Sequence, residues 1–250
     1  MLQIGSQAIV VDPGDAGPVF SALERGKLQL AAILVTHHHH DHTGGVPALH
    51  EATGATVFGP AREHIAAPFI PMAQGDVAEA LGLRFEVMDI PGHTAGHIAF
   101  FLPLDAHSAA RGASAPLLFC GDTLFSAGCG RLFEGTPAQM LASLDALAVL
   151  PGPTQVCCGH EYTLSNLRFA SAVEPDNPDL TPYTVQCKAQ RAIGQPTLPS
   201  QLDTERRINP FLRSREPSVL RTVRAQAGLD IEADETEVFA ALRQWKNDFQ

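Results

Sequence analysis

The sequence predicts an α/β fold followed by a C-terminal helical domain. Up to about residue 160, short apolar runs alternate with amphipathic segments, which is typical of sheets layered with helices. Beyond residue 164, helical signals dominate and are broken by prolines at 175, 178, 182, 196, 199, 210 and 217. A chain of 250 residues can form one large domain or two modest ones. We therefore expect a layered domain over residues 1–162 and a helical cap over residues 163–250.

The individual elements follow from apolar periodicity and from turn residues. Runs rich in branched apolar residues predict strands at residues 8–11, 31–35, 55–58, 83–90, 98–102, 116–120 and 154–158, the last strand of the chain. Apolar residues at helical spacing predict helices at residues 18–26, 45–53, 137–150 and 235–248. Turn-forming and small residues predict a connector at 68–75 and a surface loop at 104–115.

Composition restricts the partners and the compartment of the protein. The formal net charge of −10 gives a nucleic-acid partner no overall electrostatic help. No apolar run approaches the roughly 20 residues of a membrane span, and the N-terminus lacks the basic and apolar regions of a signal peptide. The five cysteines are odd in number and form no CxxC pair, which favours a reduced, cytoplasmic protein.

A cluster of histidines follows the second predicted strand. Residues 36–42 read THHHHDH and hold five of the 11 histidines. In an extended segment alternate side chains share one side, so His37 and His39 can bind one ion. Asp41 and His42 come where the chain turns and can face a second position. Imidazole and carboxylate are ligands that divalent metals such as zinc favour, so the cluster predicts a metal site.

Simpler explanations of the cluster are weaker. A purification tag would be terminal, whereas this run is internal and contains Asp41. A solvated loop would be an unusual use of so many histidines, and a single structural zinc more often has cysteine ligands. His38 and His40 alternate out of phase with the other histidines, so we expect them outside the ligand set.

Three more polar residues follow predicted strands, and each lies beside a glycine. These are His93 in PGHTAGH, Asp122 in GDT and His160 in GHE. Any one of them alone would be an ordinary loop residue, but four such strand ends in one chain indicate a two-metal site. We predict two sets of three ligands and a carboxylate that bridges them: His37, His39 and His93; Asp41, His42 and His160; and Asp122 between the sets.

These motifs resemble those of the metallo-β-lactamase superfamily and, within it, the glyoxalase II (hydroxyacylglutathione hydrolase) family. The first motif is common to the superfamily, whereas AGCG, GHEY and a closing Arg-x-x-Lys point to glyoxalase II. The likeness covers nearly the whole chain. Its matching stretches are residues 36–45, 91–97, 121–125, 127–130, 133–136, 158–163, 209–213 and 243–246.

The resemblance implies an αββα sandwich with metals at one edge, followed by a helical domain that helps to hold glutathione. It implies hydrolysis of S-D-lactoylglutathione to D-lactate and glutathione in methylglyoxal detoxification. Separately, we expect the protein to be a monomer. By position, Arg131 and Phe133 correspond to a substrate-contacting lysine and tyrosine of the family. Tyr162, Arg243 and Lys246 would be further glutathione contacts. Phe133 lacks the tyrosine hydroxyl, which removes one hydrogen bond worth about 1 kcal/mol.

The implied mechanism uses two divalent ions, most simply zinc, with iron and manganese as alternatives. Such ions supply hydroxide at neutral pH and polarise the thioester carbonyl. Asp41 and Asp122 serve as ligands, and one of them can also orient the water. A thiolate, whose conjugate acid has a pKa of about 8.5, leaves without a strong general acid. Arg243 and Lys246, three residues apart on one helix, can meet the carboxylates of glutathione.

Other functions on this fold remain open at the level of sequence. They are another hydrolase such as a lactonase or β-lactamase, a mononuclear iron persulfide dioxygenase, a nuclease and a non-catalytic metal-binding module. The cap, the full ligand set and the acidic charge argue against them. The family usually has an additional strand before residues 8–11, and only seven residues are available here. We therefore expect a shortened or exposed edge strand at the N-terminus, and not a complete hairpin supplied by residues 1–7.

Overall fold

Two β-sheets lie face to face between layers of helices in the computed structural model, which describes residues 1–249. The strands are β1 (Leu2–Ile4), β2 (Gln7–Val11), β3 (Gln29–Leu34), β4 (Thr56–Pro60), β5 (Ile70–Met72), β6 (Val77–Ala80), β7 (Leu83–Asp89), β8 (Ile98–Leu102), β9 (Leu117–Phe119), β10 (Leu124–Phe125), β11 (Gly128–Cys129), β12 (Gln155–Cys157) and β13 (Ser200–Gln201).

The helices connect the strands first and then form most of the C-terminal part. They are α1 (Ala16–Gly26), α2 (His40–Thr43), α3 (Val46–Thr53), α4 (Ala106–Ala109), α5 (Pro137–Ala148), α6 (Thr163–Val173), α7 (Leu180–Ala192), α8 (Leu202–Ile208), α9 (Pro217–Ala227) and α10 (Glu235–Asp248). Within the described residues, none of them has the length and apolar character that a membrane span requires.

The strand order brings several loops to one edge of the sandwich. The first sheet has the order β1-β2-β3-β4-β5, in which β2 to β5 are parallel. The second has the order β13-β12-β9-β8-β7-β6, in which β9 and β12 are parallel and β8 is antiparallel to both of its neighbours. The carboxyl ends of β9 and β12 therefore meet at the same edge.

Both faces of β3 in the first sheet are buried over most of its length, which explains its almost continuous apolar run. In β3, Leu34 packs toward the second sheet with Phe58 and Phe100. Its neighbour Ile33 points the other way and packs against Leu49 of α3. Alternate side chains of a strand face opposite sides, so each run supplies two cores. Full burial of such a side chain stabilises the fold by about 1.5–3 kcal/mol.

The outer face of the second sheet is covered partly by the cap. Phe101 and Leu118 of the sheet form one cluster with Met140 of α5 and with Phe239 and Leu242 of α10. The layers therefore run helix, sheet, sheet, helix, as the resemblance implied, and a helical C-terminal region follows. The cap helix α10 contributes directly to the apolar layer on the outer face of the second sheet.

Helix α10 begins at Glu235 because Asp234 caps it. The Asp234 carboxylate accepts a hydrogen bond from Glu237 N at 2.9 Å, and the Glu237 side chain accepts one from Asp234 N at 2.8 Å. A cap of this kind is worth about 1 kcal/mol. It fixes where the helix starts and hence which residues point into the molecule.

Several elements differ from the sequence predictions. Strand β5 lies inside the predicted connector at 68–75, α4 lies inside the predicted loop at 104–115, and β13 follows the strand predicted to be the last. Strand β5 pairs with β4, and β13 pairs with β12. Each of these strands is only two or three residues long and depends on a distant partner, so local periodicity does not reveal it.

The N-terminus forms a hairpin, and here the expectation was wrong. Strand β1 pairs antiparallel with β2 in the register Leu2↔Ile9, Gln3↔Ala8 and Ile4↔Gln7. Residues 1–7 therefore do supply a partner strand. The strand is short, as expected, since it spans three residues and leaves the last two residues of β2 without a partner on that side.

Candidate metal centre

The loops that follow β3, β7, β9 and β12 meet at one edge of the sandwich and carry all the predicted ligands. A glycine allows the closest approach. A Cβ on Gly159 would lie 2.5 Å from Asp122 Oδ1 and 2.5 Å from His42 Cε1. Any larger residue at this position would push the β12 loop away from the β9 loop.

The first group of ligands consists of three imidazoles. His37 Nε2 lies 3.2 Å from His39 Nδ1, and His93 Nε2 lies 3.1 Å from the same His39 nitrogen. His37 and His93 are buried. Three nitrogen atoms that converge on one point suit a single divalent ion. His37 and His39 lie on one side, as the alternation of side chains predicted.

The second group combines Asp41, His42 and His160. His160 Nε2 lies 3.2 Å from Asp41 Oδ2 and 3.3 Å from His42 Nε2. The short helix α2 ends the extended segment at His40 and turns Asp41 and His42 toward this second position. Asp41 is 62% exposed, so this group faces solvent more than the first one does.

Asp122 lies between the two groups. Its Oδ2 is 3.5 Å from both His93 Nε2 and His160 Nε2, and its Oδ1 is 3.3 Å from His42 Nε2. The buried Oδ1 has no hydrogen-bond partner among the described residues. A buried carboxylate oxygen of this kind requires a cation or a donor. Together with the imidazoles and the fold, it supports binding of a divalent metal.

A carboxylate that the sequence did not single out orients part of the cluster. Asp12, at the end of β2, accepts hydrogen bonds from Thr36 N at 2.8 Å and Thr36 Oγ1 at 2.7 Å, and lies 3.1 Å from His42 Nδ1. His42 thereby directs Nε2 at the cluster. The available signal was the same as for the ligands, a polar residue directly after a strand.

Two other histidines are oriented by backbone carbonyls. His93 Nδ1 donates to Arg131 O at 2.8 Å, which leaves Nε2 free to face the ligand cluster. Buried His97 is held between Ile98 O, 3.0 Å from Nδ1, and Asp122 N, which donates to its Nε2 at 3.2 Å. Since both nitrogens of His97 are occupied, its ring supports the cluster rather than adding a ligand.

Burial and neighbouring charge set the protonation of the cluster. Burial lowers the pKa of His37 and of His93, which favours the neutral imidazoles that bind metals. Burial also acts to lower the pKa of His42, but the carboxylates of Asp12 and Asp122 outweigh it and raise this pKa to about 10, so a metal ion bound at Nε2 would displace a proton. Burial acts to raise the pKa of Asp122, but the imidazoles beside it lower it overall, so Asp122 is ionised.

The cluster opens into a cleft of about 640 Å³. The five side chains that the resemblance assigned to substrate contact all line this cleft: Arg131, Phe133, Tyr162, Arg243 and Lys246. The Phe133 ring is 62% exposed and packs edge-on at 5.7 Å from His39 and 5.2 Å from His93. The Tyr162 ring stacks on His160 at 5.2 Å. Aromatic surface therefore flanks the metal ligands on two sides.

Two cations from helix α10 form the cap end of the cleft. Arg243 is buried, and its Nη1 donates to Cys129 O at 2.7 Å. Lys246 Nζ lies over the Phe169 ring at 5.4 Å, and burial and the nearby Arg243 lower the pKa of this lysine. No carboxylate among the described residues forms an ion pair with either cation. This end of the cleft is suited to an anionic ligand.

Cap residues also hold the β10–β11 hairpin, which carries Cys129 into the cleft. Asn209 Nδ2 donates to two carbonyls of the hairpin at 3.1 and 2.9 Å. Glu205 Oε2 accepts from the backbone N of Ala127 at 2.7 Å. Both side chains are buried. Asn209 lies in a stretch that resembles the family, but the role of Glu205 left no signal in the sequence.

Comparisons with known proteins agree with this architecture. Residues 1–160 match the family model described as the metallo-beta-lactamase superfamily, and residues 161–249 match that of the hydroxyacylglutathione hydrolase C-terminus. The hydroxyacylglutathione hydrolase of Albidiferax ferrireducens is 63% identical over 97% of this chain and 91% of its own. That of Pseudomonas aeruginosa is 54% identical over 96% and 90%.

Solved structures give the same result for the fold. The structure of ETHE1 from Myxococcus xanthus superposes with a TM-score of 0.60 at 25% identity, covering 98% of this chain and 90% of that one. The B3 metallo-beta-lactamase BLEG-1 gives a TM-score of 0.59 at 23% identity, covering 85% and 91%. The chain therefore belongs to the hydroxyacylglutathione hydrolase family of the metallo-β-lactamase superfamily.

Proposed function

We propose that this protein is a glyoxalase II, which hydrolyses S-D-lactoylglutathione and related 2-hydroxyacylglutathione thioesters to the 2-hydroxy acid and glutathione. The observation that carries the proposal is one cleft with a His/Asp cluster at one end and, at the other, two cations that form no ion pair with a carboxylate of the described residues. Relatives up to 63% identical that bear the name hydroxyacylglutathione hydrolase support it and do not favour the alternative hydrolase or dioxygenase functions. The reaction belongs to methylglyoxal detoxification.

Two divalent ions are proposed, with zinc as the first choice and iron or manganese as alternatives. One would be held by His37, His39 and His93 and the other by Asp41, His42 and His160, while Asp122 would bridge them. Bound there, the ions supply hydroxide at neutral pH and Lewis-acid polarisation of the thioester carbonyl.

The chain itself orients the reactants. Asp41 is exposed to the cleft and can accept a hydrogen bond from the attacking water, whereas buried Asp122 fixes the relative position of the two ligand groups. Arg243 and Lys246 would bind the glutathione carboxylates, and Arg131 would add a third positive charge. The departing thiolate has a conjugate acid of pKa about 8.5 and needs no proton from the protein.

The ring positions suggest how the substrate is confined. The Phe133 ring lies next to His93 of the three-histidine group. The Tyr162 ring lies next to His160 of the second group. Their apolar faces would enclose the acyl and cysteinyl parts of the substrate while the cations hold its charged ends. This arrangement would align the thioester with the metal ligands.

We propose a catalytic domain over residues 1–162 and a glutathione-binding cap over residues 163–250. The five free thiols are compatible with a reducing compartment, and we propose a cytoplasmic monomer without nucleic-acid or membrane partners.

The test is steady-state hydrolysis of S-D-lactoylglutathione by the purified protein, combined with elemental analysis of bound metals. We expect thioesterase activity that is abolished by chelation and restored by zinc. His160→Ala should remove about one equivalent of metal and most of the activity. Protein that binds two metal ions but hydrolyses no glutathione thioester would overturn the proposal.

A further inference from the structure

We propose that Glu63 is a positioning residue that ties together the two loops carrying the three-histidine group. The inference rests on the proposed function only in that it takes His37, His39 and His93 as ligands of one ion. Glu63 lies between β4 and β5 and touches none of the reacting atoms, so it would act through the backbone of the ligand loops.

Glu63 contacts both loops with its two carboxylate oxygens. Its side chain is 3% exposed. Oε2 accepts a hydrogen bond from His38 N at 2.6 Å and lies 3.0 Å from His38 Nδ1. Oε1 accepts from the Thr94 hydroxyl and from Gly96 N at 3.0 Å. His38 lies between two ligands of the first loop, and Thr94 directly follows the ligand of the second.

The packing around this carboxylate is tight. A Cβ on Gly96 would lie 2.6 Å from Glu63 Cγ. The β7–β8 loop can therefore approach Glu63 this closely only because residue 96 is a glycine. A buried carboxylate that accepts several hydrogen bonds is costly to remove, because each donor is left without a partner. Glu63 therefore constrains the separation of the two loops.

A second carboxylate, that of Glu134, connects the same two loops from the solvent side. His38 Nε2 lies 3.3 Å from Glu134 Oε1, and Glu134 Oε2 accepts a hydrogen bond from Ala95 N at 2.8 Å. The His38 ring is thus held between Glu63 and Glu134, one on each nitrogen. This gives a role to a histidine that the alternation of side chains excludes from the ligand set.

The test measures Co²⁺ affinity by absorption titration of metal-free protein in two backgrounds. In His160→Ala only the three-histidine group is intact, and in His93→Ala only the Asp41, His42 and His160 group is intact. Adding Glu63→Ala should weaken Co²⁺ binding by about 10- to 100-fold in the first background, the usual effect of losing a residue that orients metal ligands. In the second background, Glu63→Ala should change the Co²⁺ affinity by no more than about twofold.

Two variants serve as controls. Glu79→Ala removes a carboxylate that is 67% exposed and pairs only with Arg84 on the surface, and it should leave both affinities unchanged. Glu63→Gln keeps one acceptor oxygen and should recover part of the affinity that Glu63→Ala loses. If Glu63→Ala does not fold, Thr94→Val removes one donor at constant volume, and it should weaken binding severalfold in the His160→Ala background alone.

The outcomes separate the two proposals. Unchanged affinity of Glu63→Ala in the His160→Ala background, or an equal loss in both backgrounds, would overturn the positioning role while leaving the proposed function intact. Wild-type protein that bound no Co²⁺ would instead overturn the metal assignment on which both depend.

Discussion

The two ends of the cleft are built in opposite ways. At the metal edge, the side chains come from four loops of the layered region. Carboxylates such as Asp12 and Glu63 hold this edge in place through hydrogen bonds. At the cap end, Arg243 and Lys246 come from one helix and rest against aromatic rings, with no carboxylate partner among the described residues. One end is arranged to attract a cation, and the other is arranged to attract an anion.

This difference separates chemistry from recognition. Changes at the metal edge should reduce transition-state stabilisation and therefore kcat, because the ligands act on the reacting bond. Changes at the cap end should act mainly on substrate affinity and therefore on KM, because in the proposed function the cations would contact remote parts of the substrate. The predictions below test whether the two ends are in fact separable.

The largest effect is expected for Asp122→Ala, which removes the carboxylate between the two ligand groups. We expect kcat/KM for S-D-lactoylglutathione to fall by about a thousandfold or more, since the Lewis acid and the hydroxide source are both lost. Elemental analysis should find less than one metal ion per chain. A variant that kept both ions and full activity would contradict the bridging assignment.

A smaller effect, on stability, is expected for Asn209→Ala in the cap. Two buried carbonyls of the β10–β11 hairpin lose their donor, so the free energy of unfolding should fall by about 2–3 kcal/mol. Urea unfolding measures this loss, and elemental analysis should find metal content unchanged. If metal were lost as well, the hairpin would be coupled to the metal edge and the two ends would not be separable.

The Lys246→Met substitution tests what one positive charge contributes at the cap end of the cleft. The methionine keeps an apolar stem over the Phe169 ring but cannot bind a carboxylate, so KM should rise about tenfold with little change in kcat. The matched control is Lys188→Met on α7, an exposed lysine that does not line the cleft, for which KM should not change. A fall in kcat without a rise in KM would contradict a binding role for Lys246.

The smallest effect is expected where the two ends meet. Phe133→Tyr adds the hydroxyl that the resemblance leads one to expect, on a ring that is exposed at the cleft. One new hydrogen bond to the substrate is worth about 1 kcal/mol, which corresponds to a KM about fivefold lower. Steady-state kinetics at fixed metal content measures this. An unchanged KM would mean that the ring edge does not face the glutathione moiety.

The members of the His/Asp cluster could be predicted because each lies in the segment that follows a strand whose apolar run is easy to recognise. His37 and His39 also share a face through simple alternation. The cap contacts Arg243 and Lys246 depended on resemblance, since two cations on a helix are ordinary surface residues by composition. Their position in the cleft results from the packing of α10 on the sandwich.

The supporting residues Asp12, Glu63 and Glu205 were not predicted. Asp12 directly follows a strand, but the partners of all three residues are distant in the chain. Asp12 contacts a residue 30 positions away, Glu63 contacts one 31 positions away, and Glu205 contacts one 78 positions away. None of these pairs leaves a local periodicity. Strands β5 and β13 were missed for the same reason, since their pairing depends on the topology of the two sheets.

Strand β13 has a consequence for how the chain can be divided. It belongs to the C-terminal region but completes the second sheet by pairing with β12, the strand that leads to His160. A fragment ending at residue 162 would expose β12 as a bare edge, together with the apolar face that α10 covers. Bare edges and apolar faces promote aggregation. A fragment that ends at residue 162 would therefore aggregate more readily than the full chain.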